Sequence, residues 1–266
     1  MRFCNIASGS SGNCTYAGDD HTHLIIDAGI SGKRIEAGLN ELELTTPDMT
    51  GILITHEHTD HIGGLGVLAR RYGIPIYATG GTIDAIRRMP RYKDIPDHLY
   101  HVVKADQAFS LGDFEILPLA VSHDAAEPVA YRLENNGKRA SIATDLGTYD
   151  EHIVRCMRNS DILMLEANHD VHMLEVGPYP YPVKRRILSD RGHLSNVSAG
   201  MLLSRILNDH MKTAYLGHLS RTNNYDALAY ATVTTQLAQD RSCAWREGDI
   251  PILVARWDQP MDKLEV

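Results

Sequence analysis

Residues 51–64 read GILITHEHTDHIGG, and this stretch constrains the chain more than any other. GILIT is a short, apolar, β-rich run, the pattern of a buried strand. Three histidines and an aspartate follow within six residues, with two glycines directly behind them. In open α/β sheets, sites gather at the carboxyl ends of strands. His56 and His58 are two apart, so in extended or turn backbone both can face one side. Asp60 and His61 come next, around the start of a helix. Gly63 and Gly64 let the backbone pass close to whatever is bound. Neutral imidazole and carboxylate together are the ligand set for zinc, manganese or iron. A histidine-rich turn alone is usually coincidence; HxHxDH at a strand end points to a metal.

One cluster does not close a metal site. LAVSHDAAEP puts His123 just after an apolar strand, SIATDLGT puts Asp145 at the end of another, and TAYLGHLS puts His218 at the end of a third. Each alone is more simply a satisfied core or surface residue. Three of them, each closing a strand after HxHxDH, form a coherent ligand set.

The rest of the chain reads as one continuous α/β domain over residues 1–266. Strands are expected at 22–27, 51–55, 75–78, 114–122, 129–133, 140–144, 161–165 and 250–254. Helices are expected at about 33–42, 61–72, 82–89, 149–158, 196–210 and 225–239, with Asn196 and Asn224 as N-caps of the last two. Strands come first in runs and then mix with helices, which suggests two sheets sandwiched between helices. Residues 168–192, rich in Pro and Gly, read as a long surface excursion.

No run of 18 apolar residues is present, so no membrane span is expected. The N-terminus shows no secretory signal pattern. Four cysteines lie scattered without CxxC spacing, which suits thiols in a reducing compartment, so cytoplasm is expected. A net charge of −8 argues against a chain that coats nucleic acid non-specifically, but not against a local basic groove. Basic residues do bunch, in ARRYG at 69–73, RRMPRYK at 87–93 and KRRILSDRGH at 184–193.

The ordered set HxHxDH, His, Asp, His resembles the metallo-β-lactamase superfamily, and the early SGSSGN and HLIIDAG stretches fit it too. The resemblance implies a four-layer αββα sandwich with two divalent ions, Zn²⁺ or Mn²⁺. By that pattern His56, His58 and His123 hold one ion, Asp60, His61 and His218 hold the other, and Asp145 bridges. Asp27 would orient the ligand loop. Two ions sharing a hydroxide suit hydrolysis at neutral pH. The stretches IASGSSGNC, SHDAAEPVAY, LEANHD, ILSDRGHLSN and GHLSRTNN are similar to the YycJ/WalJ-type exonuclease branch. That branch implies phosphodiester cleavage in DNA, stepwise and 5′-to-3′. The rivals are a small-molecule hydrolase for a lactone, thioester or cyclic phosphodiester, and a non-catalytic metal-binding regulator.

Further residues fit a phosphodiesterase, each with a plainer role beside it. Asp60 and His193 are the candidate catalytic groups; His193 would protonate a leaving oxygen or simply bond a helix cap. Ser10, Ser11 and Asn13 would present donors to a phosphate, or form a tight turn. Asn168 would bind substrate or brace a ligand. Arg185, Arg186 and Arg191 would grip a DNA backbone, or face solvent.

Overall fold

The computed structural model describes residues 1–240, 243, 245, 246 and 248–266. They form two compact units, each discontinuous in sequence. One comprises residues 1–120, 125–136 and 256–266; the other comprises 121–124 and 137–255.

The first unit runs β1 (Arg2–Ala7), β2 (Cys14–Gly18), β3 (His23–Ile26), α1 (Gly32–Glu41), β4 (Gly51–Leu53), α2 (Thr59–Ile62), α3 (Leu65–Tyr72), β5 (Ile76–Thr79), α4 (Gly80–Arg88), β6 (Tyr100–Val103), β7 (Phe109–Leu111), β8 (Phe114–Ala120) and β9 (Val129–Asn135). β1, β2 and β3 pair antiparallel, while β3 through β6 pair in parallel. The C-terminal strand Leu264–Glu265 adds antiparallel to β1. β4 lies inside this sheet and is buried throughout, which is why GILIT is unbroken by polar residues. The sheet's core gathers Ile25, Ile52, Ile54, Leu65, Leu68 and Ile76 among others. The antiparallel strands β7, β8 and β9 belong to the same unit. Tyr131 of β9 is buried, and its hydroxyl donates to Ile54 O at 3.0 Å.

The helix expected over 61–72 is broken into α2 and α3. A Cβ at Gly63 would lie 2.5 Å from Gly29 O, and one at Gly64 would lie 2.3 Å from Ile30 O. The two backbones touch there, and the contact interrupts the helix.

The second unit runs β10 (Lys138–Ala143), α5 (Glu151–Met157), β11 (Ile162–Glu166), α6 (Val171–Val176), α7 (Tyr181–Ile187), α8 (Asn196–Ile206), β12 (Thr213–Gly217), α9 (Asp226–Gln239) and β13 (Ile252–Val254). β10, β11, β12 and β13 pair in that order, all parallel. Helices between the strands supply the crossovers that parallel pairing needs. The carboxyl ends of β10, β11 and β12 therefore sit side by side, and Asp145, Glu166 and His218 stand at them.

Two expectations need correction here. Residues 168–192 are not all loop, because they fold into α6 and α7. Asp170 accepts from Met173 N at 2.8 Å and starts α6. Pro180 and Pro182 preset the first turn of α7. Asn196 and Asn224 are not the caps. Ser195 caps α8 by accepting from Ser198 N at 3.1 Å, and Tyr225 precedes α9. The two asparagines instead pair with each other through both amides, at 2.8 and 3.0 Å. Asn224 also donates to Ala167 O and Asn168 O, which ties down the loop after β11. Among the described residues no helix is long and apolar enough to cross a membrane.

Candidate metal centre

The first unit sets its histidines through one carboxylate. Asp27 follows β3, is 2% exposed, and takes a left-handed backbone with φ 60°. Its Oδ1 accepts from Thr55 N at 2.8 Å, and its Oδ2 accepts from the Thr55 hydroxyl at 2.9 Å and lies 2.7 Å from His61 Nδ1. Thr55 Oγ1 in turn lies 3.0 Å from His56 Nδ1. A neutral ring that gives its Nδ1 proton to a carboxylate presents Nε2 as a lone pair. Asp27 thus readies His61 directly and His56 through Thr55. The His56 and His61 ring centroids are 4.1 Å apart, those of His56 and His58 are 4.6 Å apart, and Asp60 Oδ2 lies 3.6 Å from His61 Nε2.

The SGSSGN loop clasps this cluster from behind. Asn13 N donates to Asp60 O at 2.8 Å, and Asn13 Nδ2 lies 3.1 Å from His61 Nε2. Asn13 is buried, whereas Ser10 and Ser11 are exposed at the turn. Gly29 is compulsory here, because a Cβ would sit 1.7 Å from Asp60 O.

The second unit repeats the device with Glu166, which is fully buried at the end of β11. Its Oε1 lies 2.8 Å from His193 Nδ1 and 3.0 Å from His218 Nδ1. Its Oε2 accepts from Leu146 N at 2.9 Å and Leu194 N at 3.0 Å. Burial alone would push the Glu166 carboxyl up; the charge of His193 and the bonds from His193 and His218 outweigh it and hold it at about 2. Burial likewise pushes His193 down, but Glu166 reverses this and holds the imidazole above its ordinary value.

Asp145 φ 57° and His218 φ 55° are left-handed as well. That backbone costs a residue with a Cβ about 1–2 kcal/mol, and it recurs at three strand ends that carry site residues. It aims Asp145 Oδ1 to within 3.6 Å of His123 Nε2 and 3.5 Å of both His218 Nε2 and His193 Nδ1. His123 Nδ1 faces Gly192 O at 3.0 Å, so its Nε2 turns towards Asp145. Burial keeps His123 below its ordinary pKa, favouring the neutral ring that a metal needs. Asp145, Glu166, His193 and His218 offer ligand atoms that all lie within 4.8 Å of one another. The donor sets in both units suit a divalent cation.

The remaining candidates are spread over the second unit. Asn168 is buried and donates to His218 O at 2.9 Å, so it braces a candidate ligand. Arg186 pairs with Asp124 through two nitrogens. Arg191 donates to His123 O at 3.0 and 3.2 Å. Arg185 is exposed and lies over the Tyr181 ring. From sequence Glu166 is placed at a strand end but given no role, yet it orients two histidines at once. The available signal was an acid closing the apolar run ILML. Thr55 gave no signal.

The chain matches the model of the β-lactamase superfamily domain over residues 22–219. It is 41% identical over 239 residues to an exodeoxyribonuclease YycJ of Bacillus anthracis, covering 90% of each chain. It is also 41% identical over 239 residues to an exodeoxyribonuclease WalJ of Streptococcus pneumoniae, covering 90% of this chain and 89% of that one. Among solved structures it resembles a metallo-β-lactamase fold protein, YhfI, of Bacillus subtilis, with TM-score 0.71, 16% identity and 98% of both chains covered. It also resembles Zn²⁺-bound PqqB of Methylobacterium extorquens, with TM-score 0.73, 17% identity, and 98% of this chain and 100% of that one covered. The fold is the αββα sandwich of these proteins.

Proposed function

Because the chain belongs to the β-lactamase superfamily, we propose that it is a dinuclear-metal phosphodiesterase that shortens DNA from a strand end, in the 5′-to-3′ direction. The observation that carries the reading is the 41% identity over 90% of the chain to relatives named exodeoxyribonucleases. The buried carboxylates that leave Nε2 of His56, His61 and His218 ready for a cation support it.

In this reading His56, His58 and His123 would hold one ion, Asp60, His61 and His218 would hold the second, and Asp145 would serve as a ligand of the pair. Zn²⁺ or Mn²⁺ held there would activate water and offset the charge that develops on the phosphoryl group. Asp60, whose side chain is 26% exposed, holds the attacking water in line. His193, raised in basicity by Glu166 and 13% exposed at its side chain, carries a proton to the departing oxygen. Ser10 and Ser11 face the solvent side and meet phosphate oxygens, with Asn13 behind them. Asn168 keeps His218 in place. Arg185, Arg186 and Arg191 contact the DNA backbone, the last two while also fixing Asp124 and the His123 carbonyl.

Digestion of end-labelled DNA tests this, using metal-stripped protein to which Mn²⁺ or Zn²⁺ is restored, beside His58→Ala. Stepwise shortening from the 5′ end, absent in His58→Ala, is the expected result. Intact DNA from a protein shown to carry its metals would sink the reading, and turnover of a lactone, thioester or cyclic phosphodiester would replace it.

A further inference from the structure

We infer that the exposed face of α7, built on Tyr181 and Arg185, is a stacking platform for the unpaired bases of single-stranded DNA leading to the scissile phosphodiester. The inference deepens the exonuclease reading and rests on it. Four observations point there.

First, the aromatic is displayed and held. Tyr181 is 72% exposed, the most exposed aromatic among the large hydrophobics. Pro178, Pro180 and Pro182 alternate around it and fix the backbone, so presenting the ring costs little conformational entropy. The neighbouring Tyr179 is pinned by its hydroxyl to Thr222 Oγ1 at 3.3 Å.

Second, a cation shares its face. Arg185 stands four residues on, which places it beside Tyr181 on the helix, and its guanidinium carbon lies 6.0 Å from the ring centroid. A ring with a guanidinium above it is the chemistry that stacks a nucleobase and meets the phosphate next to it.

Third, the local charge suits an anionic polymer in a chain of net charge −8. Residues 181–187 contain Lys184, Arg185 and Arg186 and no acid, and among the described residues Arg186 alone of these is offset, by the Asp124 carboxylate. Lys184 Nζ donates to Glu175 O at 2.7 Å, a carbonyl that leaves the positive charge in place.

Fourth, α7 is bolted to the donor set of the second unit. Ile187 O accepts from His193 N at 3.0 Å, and Gly192 O meets His123 Nδ1. Gly147, two residues past Asp145, packs so closely on Asp190 that a Cβ would lie 2.3 Å from its carbonyl. The seven residues of α7 span about 10 Å at 1.5 Å each. That is about three nucleotide steps at 3.4 Å. A strand stacked on Tyr181 therefore reaches the His193 end of the helix within a few nucleotides.

The test is fluorescence anisotropy of a labelled phosphorothioate oligothymidylate, which resists cleavage, with the metal-loaded protein. Tyr181→Ala is expected to weaken binding about tenfold, the usual scale for one lost base stack, at an unchanged melting temperature. Tyr181→Trp is expected to restore it. In digestion of unmodified strands the alanine variant raises KM and spares kcat. Equal binding by wild type and Tyr181→Ala overturns the platform, even where the wild type digests DNA and the exonuclease reading stands. Binding that depends on Tyr181 in a protein that digests no DNA keeps the platform and overturns the exonuclease reading. Loss of binding to anionic phospholipid vesicles in Tyr181→Ala, with oligothymidylate binding intact, overturns the platform in favour of a membrane contact.

Discussion

Glu166→Gln removes one charge and almost no volume, so it tests whether this carboxylate sets the state of two histidines. Glu166 accepts four hydrogen bonds: from Leu146 N, Leu194 N, His193 Nδ1 and His218 Nδ1. An amide offers one acceptor oxygen and one donor NH₂. If the oxygen keeps the two backbone N–H groups, the NH₂ faces both imidazoles. His218 must then accept at Nδ1 and carry its proton on Nε2, the atom turned towards Asp145. If the amide turns over, two buried backbone donors face an NH₂ instead. Either way about 3 kcal/mol is lost, the sum of two charge-assisted bonds weakened to poor neutral ones. For a chain of this size that is a melting decrease of roughly 6–12 °C. Metal affinity should fall 10- to 100-fold, the usual effect of removing a group that orients a ligand. Competition with a chromogenic chelator measures the affinity, and calorimetry measures the melting. In the metal-free protein the His193 ring, no longer held up by Glu166, should titrate below its ordinary value instead of above it, as read from its C2–H resonance. A glutamine variant with wild-type metal affinity and melting temperature would refute the reasoning.

Gly29→Ala should abolish metal binding in the first unit and cost more than about 4 kcal/mol, because its Cβ would meet Asp60 O at 1.7 Å; chelator competition and denaturant unfolding read both. In metal-free protein, Asp145→Gly should melt about 2–4 °C above Asp145→Ala, since glycine relieves about 1 kcal/mol of left-handed strain at φ 57°; equal melting would deny the strain. His169 is 1% exposed, its Nε2 has no hydrogen-bond partner among the described residues, and burial lowers its pKa to about 4. Its folded value lies below the unfolded 6.5, so stability is full above pH 6.5 and is lost as pH falls towards 4, by up to about 3 kcal/mol. Unfolding of His169→Gln should lose that acid-side slope, and an unchanged slope would assign it to other groups.

What was legible in the sequence follows from where each signal lives. HxHxDH is local, and the strand before it is sealed inside a parallel sheet, so both could be read from consecutive residues. His123, Asp145 and His218 were legible because each closes an apolar run, and β10 and β12 do end beside the last two. Glu166 was not, although it stands at the same kind of strand end. Its role depends on His193 and His218, which lie 27 and 52 residues away in sequence, and no short window contains them. The helix expected over 61–72 failed for the same reason. Gly63 and Gly64 look like tolerable helix residues until the chain from Gly29 to Ile30 is laid against them. The caps failed through competition: Asn196 and Asn224 are good capping residues, but each other's amide was the nearer partner. Asn13 shows the same limit at the site itself. A small polar loop reads as a phosphate cradle, and the buried amide is instead held against Asp60 and His61. Local sequence thus announces which atoms can bind a cation. Only the fold tells which buried carboxylates hold those atoms in the right tautomer, and Asp27 and Glu166 do this by the same means in two different units.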